Sequence, residues 1–471
     1  MSIAVSTAPG EPAPARRGTA LIAFGIAFAG ALVVALLLGL KTFYYDSGGY
    51  WVLGTTYIRN GHFSLLNFES SLRGYLLPLI DHGLQGLAVA FRWNPSSFAK
   101  LFNVLSFALI GTVLGPRLAE ITWPRWRWGI GRRLALMALL LIFWKGYLPY
   151  PLSDFPAFTL ALLALVSIDR AESPGWMLLG GLASAAAIDM RPSYLLLAPI
   201  LVVLIVWAWL KGRSRENPSV RWRVLCGGLF LVGFFAISLP QSLSSHRYFH
   251  TWSFVPGSAA HLTTIQFDEG LHLQRYETYV GPGHGPRMLY EDPTGTKLLL
   301  EQKDQTVSST SQYLGLVASH PLTMAGVFIR HIVNGLDQRY STPYVSHLST
   351  GSNRWLRLAG FLLIFLALLR VLWSTARRRL APAQWRYPAA LALCCLTSVP
   401  SAVETRYMLP IFLLSYILVL VPGWPNPVNF SVAGLRRYQT VVVIAVAYLI
   451  FMALVWDVVS HASQHLNFGI V

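Results

Sequence analysis

Residues 18–40 read GTALIAFGIAFAGALVVALLLGL, and this apolar run decides the fold class of the chain. It carries no charged residue and is long enough, as a helix, to cross the roughly 30 Å hydrocarbon core of a bilayer. It has no small-residue cleavage site, so we interpret it as an uncleaved anchor and not as a signal peptide. Residues 1–17 before it are rich in Pro, Ala and Gly and end in two arginines, which predicts a disordered cytoplasmic N-terminus.

The composition of the whole chain matches this run. Of its 471 residues, 54% are hydrophobic and 12% are charged, whereas soluble domains carry about 25% charged residues. The composition therefore predicts an all-α, polytopic transmembrane helix bundle. Basic cytoplasmic loops explain the net charge of +17, so we do not expect nucleic acid as a partner. The three cysteines lie in apolar segments without metal-ligand spacing, and we interpret them as packing residues.

Further apolar runs predict about eleven spanning helices, with the N-terminus in the cytoplasm and the C-terminus outside. We place them at residues 18–40, 96–115, 134–148, 154–168, 175–190, 193–210, 224–240, 355–373, 387–401, 406–421 and 438–457. The predicted regions are the N-terminus 1–17, an N-terminal transmembrane module 18–240 with a first external loop 41–95, a large external loop 241–353, and a C-terminal transmembrane module 354–471.

Residues 75–92 decide the direction of every later helix. The stretch is apolar, but four of its residues disfavour a crossing: Pro78, Asp81, His82 and Gln85. We therefore interpret it as a helix that lies in the outer membrane interface. The next loop, 116–133, is then cytoplasmic, which agrees with its arginines under the positive-inside rule. If residues 75–92 crossed instead, this basic loop would lie outside.

On this topology the charged residues next to the membrane gather at the outer ends of helices. They are Asp46, Asp81, Lys145, Asp154, Asp189, Arg191, Glu404 and Arg406. Charges at such positions are costly and are usually functional. Because these residues share one side of the bundle, they are expected to line one cavity.

Asp46 has the clearest chemical role among them. It belongs to residues 43–51, FYYDSGGYW, directly after the first helix. A carboxylate beside a pair of glycines, where backbone or ligand approaches closely, is a candidate general base. The tyrosines around it, Tyr45 among them, also fit an ordinary aromatic belt at the interface.

Three short external turns carry the other charges, and each has two interpretations. Asp154 either caps the helix that follows it or orients a substrate, with Lys145 in the same turn. Asp189 and Arg191 either pair with each other at the interface or contribute to a site. Arg406, next to Glu404 and Tyr407, either snorkels to the membrane surface or binds a lipid-linked phosphate.

These residues resemble motifs of the C-type superfamily of membrane glycosyltransferases, and in particular its protein O-mannosyltransferases and aminoarabinose transferases. The matching features are Asp46, the external helix at 75–91 with Pro78, a second span at 103–117 that ends in Arg, Ser153-Asp154, and the string Glu404-Thr-Arg-Tyr-Met-Leu-Pro410. The chain departs from the family pattern where Ser47 replaces a second acid and where Thr405 separates Glu404 from Arg406.

The resemblance implies transfer of a sugar from a polyprenyl-phosphate donor to a lipid, glycan or protein acceptor outside the cytoplasmic membrane. Asp46 would be the base, and Asp154 would orient the sugar or acceptor. Residues expected to bind substrate are Tyr45, Lys145, Arg191, Glu404, Arg406 and Tyr407. We expect no organic cofactor. No motif indicates a metal site, and a requirement for a divalent metal ion is left open by the sequence.

Two other functions remain open from the sequence. A transporter or flippase of lipid-linked sugars would share the spans and the cations, but it would also need a path that opens inward. A non-catalytic membrane scaffold would use its large loop to bind a partner. In a scaffold, the carboxylates in the turns would tolerate substitution.

Overall fold

The computed structural model describes residues 14–39, 41–124, 126–210, 219–258, 261–302, 305–348, 351–376, 382–421 and 437–469. These residues are mostly helical, which confirms the all-α class, although they also form a small sheet. Predictions for the N-terminal residues 1–13 and for most of the basic loops at 211–218, 377–381 and 422–436 lie outside the described residues.

Within the described residues, six helices are long and apolar enough to cross a membrane. They are Gly18–Leu37, Pro95–Thr122, Pro192–Leu210, Val220–Phe249, Gly351–Trp373 and Val442–Gln464. Each coincides with one of the predicted spans. The chain is therefore a membrane protein with several spanning helices.

The described residues of the first half of the chain form ten α-helices. They are α1 Pro14–Leu37, α2 Tyr45–Leu53, α3 Leu76–Phe91, α4 Pro95–Leu109, α5 Gly115–Thr122, α6 Ile130–Trp144, α7 Asp154–Ile168, α8 Pro174–Met190, α9 Leu197–Leu210 and α10 Val220–Phe249. A π-helical segment at Ile110–Leu114 joins α4 to α5, so the two run as one element. Two short strands, β1 Ile58–Arg59 and β2 His62–Phe63, form a hairpin before α3.

The second half begins with four helices and two strands that belong to the large loop. They are α11 Leu262–His272, β3 Leu273–Tyr279, β4 Arg287–Glu291, α12 Pro293–Leu300, α13 Thr310–Ser319 and α14 Pro321–Gly335. Strand β5 Tyr344–Val345, helices α15 Gly351–Ala376, α16 Arg386–Leu396, α17 Leu409–Leu420 and α18 Arg437–Gln464, and strand β6 Leu466–Gly469 follow.

Five predicted spans correspond to shorter helices. These are α6, α7, α8, α16 and α17, which occupy the stretches predicted at 134–148, 154–168, 175–190, 387–401 and 406–421. Short turns that contain proline interrupt the apolar sequence between several of them, and α7 and α8 bury most of their residues inside the bundle. Eleven spans therefore remain a prediction, and six is the number of described helices with the length of a full crossing.

The large loop folds into helices and strands, and its strands form a sheet together with the end of the chain. The sheet has the order β5-β3-β4-β6, and β6 follows α18. Residues 241–249, at the start of the predicted loop, are helical, because α10 continues through Pro240 to Phe249. Within the loop, α14 meets α13 at a bend of 110°.

Candidate functional site

Asp46 lies in the first turn of α2, where the chain turns sharply. Tyr45 before it has a left-handed backbone with φ of +38°, which is uncommon for a residue with a side chain. The Asp46 side chain is 30% exposed. Its Oδ1 accepts a hydrogen bond from Arg73, and its Oδ2 accepts one from Nη2 of Arg406 at 3.0 Å. Two guanidinium groups therefore hold this carboxylate.

Arg406 connects three carboxylates at one end of the helix bundle. It lies in the 3₁₀ turn Thr405–Met408 directly before α17. Its Nη2 contacts Glu404 Oε1 at 2.7 Å as well as Asp46, and its Nη1 lies 3.6 Å from Asp154 Oδ2. The side chain is 11% exposed. Arg406 is therefore the centre of the ion network.

Asp154 and Arg191 form the deeper part of the network. Asp154 is the first residue of α7 and makes no capping hydrogen bond, and its carboxylate instead pairs with Arg191, which follows α8. Arg191 also stacks on the ring of Tyr407, with 4.8 Å between guanidinium carbon and ring centroid. The Tyr407 hydroxyl donates to Glu404 Oε1 at 3.0 Å. Arg191 thus pairs with Asp154 and not, as one interpretation held, with Asp189.

We call this group of seven residues the Asp46 cluster. Its members are Asp46, Arg73, Asp154, Arg191, Glu404, Arg406 and Tyr407. Three guanidinium groups balance three carboxylates, so the group is close to neutral. Burial acts to raise the pKa of Asp46, but the charges of Arg406 and Arg73 outweigh it and hold the pKa well below its usual value. In this arrangement Asp46 is ionised and is a weak base.

Arg73 and its neighbour Tyr50 were missed in the sequence. Arg73 lies in the loop before α3, and its Nη1 donates to the Tyr50 hydroxyl at 3.3 Å. Its guanidinium carbon also lies 4.8 Å from the centroid of the Tyr50 ring. The available signal was an arginine directly before the stretch predicted to lie in the membrane interface. A single arginine in a polar loop does not stand out from solvated ones.

Two predicted site residues lie apart from the cluster. Lys145 is exposed and forms no ion pair with another described residue. Tyr45 is 51% exposed and faces the β3–β4 hairpin. It points away from Asp46 because the left-handed backbone at Tyr45 starts α2 with a sharp turn. Among the other interfacial charges, Asp189 accepts a hydrogen bond from the Leu76 backbone N–H at 2.8 Å. Asp81 is fully buried, and neither carboxylate oxygen has a hydrogen-bond partner among the described residues.

A second group of ion-paired side chains, which we call the Asp337 cluster, adjoins the Asp46 cluster. Its members are Arg275, Glu277, Asp337, Arg339 and Arg357. Asp337 has no exposed surface and contacts all three arginines. Thr405 connects the two clusters, because its hydroxyl accepts from Arg275 Nη2 at 2.9 Å and donates to the Asp337 carbonyl oxygen at 3.2 Å. The threonine between Glu404 and Arg406 is therefore an anchor for the turn.

The carboxylates of the Asp46 cluster are bound by arginines and do not converge on an empty point. Across the part of the chain that the structure describes, no group of three or more His, Cys, Asp and Glu side chains is arranged to hold a metal ion. No protein-family model and no curated protein matches this sequence. The function is therefore inferred from the geometry and chemistry of the site.

Proposed function

We propose that this chain is a membrane glycosyltransferase that transfers a sugar from a polyprenyl-phosphate donor to an acceptor hydroxyl. The Asp46 cluster is the observation that carries the proposal. It combines a partly exposed carboxylate with three arginines at one end of a membrane helix bundle. A reaction that deprotonates a hydroxyl and releases a phosphate needs these two kinds of group side by side.

The proposed topology has eleven spans, with the N-terminus in the cytoplasm and the site at the outer face of the cytoplasmic membrane. The short helices α6, α7, α8, α16 and α17 would then cross within the bundle, where other helices cover them. Asp154, Arg191 and Arg406 support a common side, because they lie at the ends of α7, α8 and α17 that meet in one cluster. A site at that depth suits a donor whose lipid tail stays in the bilayer.

Donor binding would rearrange the ion pairs of Asp46. A phosphate group competes with carboxylates for guanidinium groups, and Arg73 and Arg406 are the two that hold Asp46. When they turn to the phosphate, Asp46 loses the charges that keep its pKa low and becomes a stronger base. The donor would therefore activate the base that its own reaction needs.

The transfer step then balances in protons and electrons. Asp46 takes the proton of the acceptor hydroxyl while that oxygen forms a bond to the anomeric carbon of the sugar. The bond from the anomeric carbon to the phosphate oxygen breaks, and its electron pair leaves with polyprenyl phosphate. Arg73 and Arg406 stabilise the negative charge that grows on the leaving group.

Asp154 is better suited to a positioning role than to catalysis. Its side chain is only 1% exposed, and its two oxygens face Arg191 and Arg406. A buried carboxylate between two guanidinium groups fixes their direction and does not reach an acceptor. Arg191, stacked on Tyr407, is held in the same way.

The direct test begins with a deletion strain. Lipid analysis of that strain should show a polyprenyl-phosphate sugar that accumulates. Purified protein in detergent is then given this lipid together with the envelope fraction of the deletion strain. We expect the sugar to appear on an envelope acceptor and polyprenyl phosphate to be released in equal amount. A transporter would leave the donor lipid intact, and that result would contradict the proposal.

A further inference from the structure

A cavity lies beside Tyr45, the residue that precedes Asp46. It has a volume of about 230 Å³ and is formed by the start of α2 and the β3–β4 hairpin. Its lining includes Tyr44, Tyr45, Tyr279, Gly281, His284 and Pro286. We propose that this cavity, here called the tyrosine pocket, binds a neutral sugar ring of the acceptor. The inference rests on the proposed function and narrows the acceptor to a glycan.

The walls of the pocket have the chemistry that a sugar ring requires. Tyr44, Tyr45, Tyr279 and His284 present aromatic rings, which pack against the C–H faces of a pyranose, while hydroxyl and imidazole groups hydrogen-bond to its hydroxyls. His284 is held in place, because its ring stacks on Phe468 of β6 at 4.1 Å between centroids. The pocket is therefore partly built before any ligand binds.

The chemistry of the pocket lining indicates which class of acceptor fits there. None of the residues that line it is Asp, Glu, Lys or Arg. A phosphorylated lipid would find no cation among the described residues that line the pocket. A neutral carbohydrate needs no counter-charge, so it fits this lining better than an anionic lipid does.

Tyr45 joins the pocket to the proposed base. Its φ of +38° is a left-handed conformation that costs backbone energy, yet half of its side chain is exposed. The same turn directs Asp46 into the ion cluster, and the Cα atoms of the two residues are only about 3.8 Å apart. A sugar that stacks on Tyr45 must therefore extend around this turn to bring a hydroxyl to Asp46.

Gly281 provides a way to narrow the pocket without touching the ion cluster. A Cβ atom at this position would clash with the hydroxyl of Tyr279 and with the Ser346 carbonyl oxygen. Gly281→Ala should therefore displace the Tyr279 ring, which also lines the pocket. If Tyr45→Ala, at an exposed side chain, has the same effect as Gly281→Ala, a folding defect at Gly281 does not explain the result.

The test uses the purified full chain, the accumulated donor lipid, and the envelope glycans of the deletion strain after protease digestion and lipid extraction. We expect Tyr45→Ala, Gly281→Ala and His284→Ala to raise the acceptor KM by roughly tenfold or more, the scale for losing an aromatic contact at a binding site. The donor KM should stay unchanged. Tyr45→Phe keeps the ring but loses the hydroxyl, so it should raise the acceptor KM less than Tyr45→Ala does.

The same glycan fraction is also titrated onto the protein without donor. Wild type should bind it, and Tyr45→Ala should bind it at least roughly tenfold more weakly. Two results would overturn the inference and leave the transferase proposal intact. One is transferred sugar found in the lipid extract or on protein, and the other is an unchanged acceptor KM in Tyr45→Ala. Glycan binding at this pocket without any release of polyprenyl phosphate would support the pocket and contradict the transferase.

Discussion

The Asp46 cluster and the Asp337 cluster are built from the same groups, three arginines with carboxylates, yet their surroundings differ. Asp337 has no exposed surface, and Arg275 beside it is 1% exposed. Asp46 and Arg73 in the other cluster are 30% and 32% exposed. A buried set of charges is stable only when all its partners are present, whereas an exposed set can exchange partners with a ligand.

The arginines of the two clusters also differ in how fully their nitrogens are hydrogen-bonded. Every nitrogen of the Arg275 guanidinium is used: it bonds Glu277, the carbonyl oxygens of Asn334 and Asp337, and the hydroxyl of Thr405. In the Asp46 cluster, Nε of Arg406 has no hydrogen-bond partner among the described residues. We infer that the Asp337 cluster holds the structure together and that the Asp46 cluster is the one that meets substrate.

The largest expected effect is a loss of stability when the Asp337 cluster loses its central carboxylate. Asp337→Asn leaves three arginines next to a neutral amide in a fully buried position. We expect it to lower the free energy of unfolding by about 3–5 kcal/mol, the usual cost of breaking a buried ion pair. Thermal unfolding of the protein in detergent measures this, with the exposed Asp457→Asn as the matched control. An unchanged unfolding temperature would remove the distinction between the clusters.

Arg406→Ala should act on donor binding. A charge-assisted contact to phosphate is worth about 1.5–3 kcal/mol, so the donor KM should rise by roughly ten- to a hundredfold. The exposed Arg354→Ala is the control for general loss of positive charge. A donor KM equal to wild type in Arg406→Ala membranes would mean that the arginine only serves the ion network.

Thr405 tests the connection between the two clusters. Thr405→Val keeps the shape of the side chain but removes the hydroxyl that joins Arg275 to the Asp337 carbonyl oxygen. Each of the two buried hydrogen bonds lost costs about 1 kcal/mol of stability. We expect a fall of roughly fivefold in turnover because the Arg406 turn shifts. Thr405→Ser should restore turnover. Equal turnover in the valine and serine variants would show that the clusters work independently.

Arg73→Gln removes one of the two guanidinium groups that hold Asp46, and its most specific effect is a small change in the pH profile. Burial acts to raise the pKa of Asp46, and Arg406 and Arg73 together lower it. Removing one guanidinium therefore moves this pKa upward, and the acidic limb of kcat/KM for the free enzyme should move to higher pH in the same direction. Profiles of wild type and Arg73→Gln, recorded with the same donor, measure the shift. A limb that stays in place or moves to lower pH would exclude Asp46 as the titrating group.

The contrast between the clusters also explains how much the sequence could predict. Asp46, Asp154, Arg191 and Arg406 follow or precede long apolar runs, where a charge is conspicuous, and the structure brings them together. The direction of a side chain is harder to predict. Tyr45 points away from Asp46 because a left-handed turn starts α2, and no pattern in the sequence marks that turn.

The Asp337 cluster was beyond reach for a different reason. Its residues lie in the large loop and at the start of α15, where charged residues are normally solvated. They become buried because strands far apart in the sequence pair with each other, such as β4 with β6. Arg73 was missed because a single arginine in a polar loop is also normally solvated. Sequence patterns report local surroundings, and long-range packing decides which of these charges leave water.

Asp46→Asn is the measurement that tests the central claim most directly. The substitution keeps the size of the side chain but removes its ability to take a proton. Transfer of labelled sugar from the donor lipid is compared in membranes matched for protein level. We predict a fall in turnover of about 10²–10⁴-fold, the usual range for a lost general base, with an unfolding temperature close to wild type. Near-normal turnover in Asp46→Asn would contradict the account and leave Asp46 as one more carboxylate of an ion network.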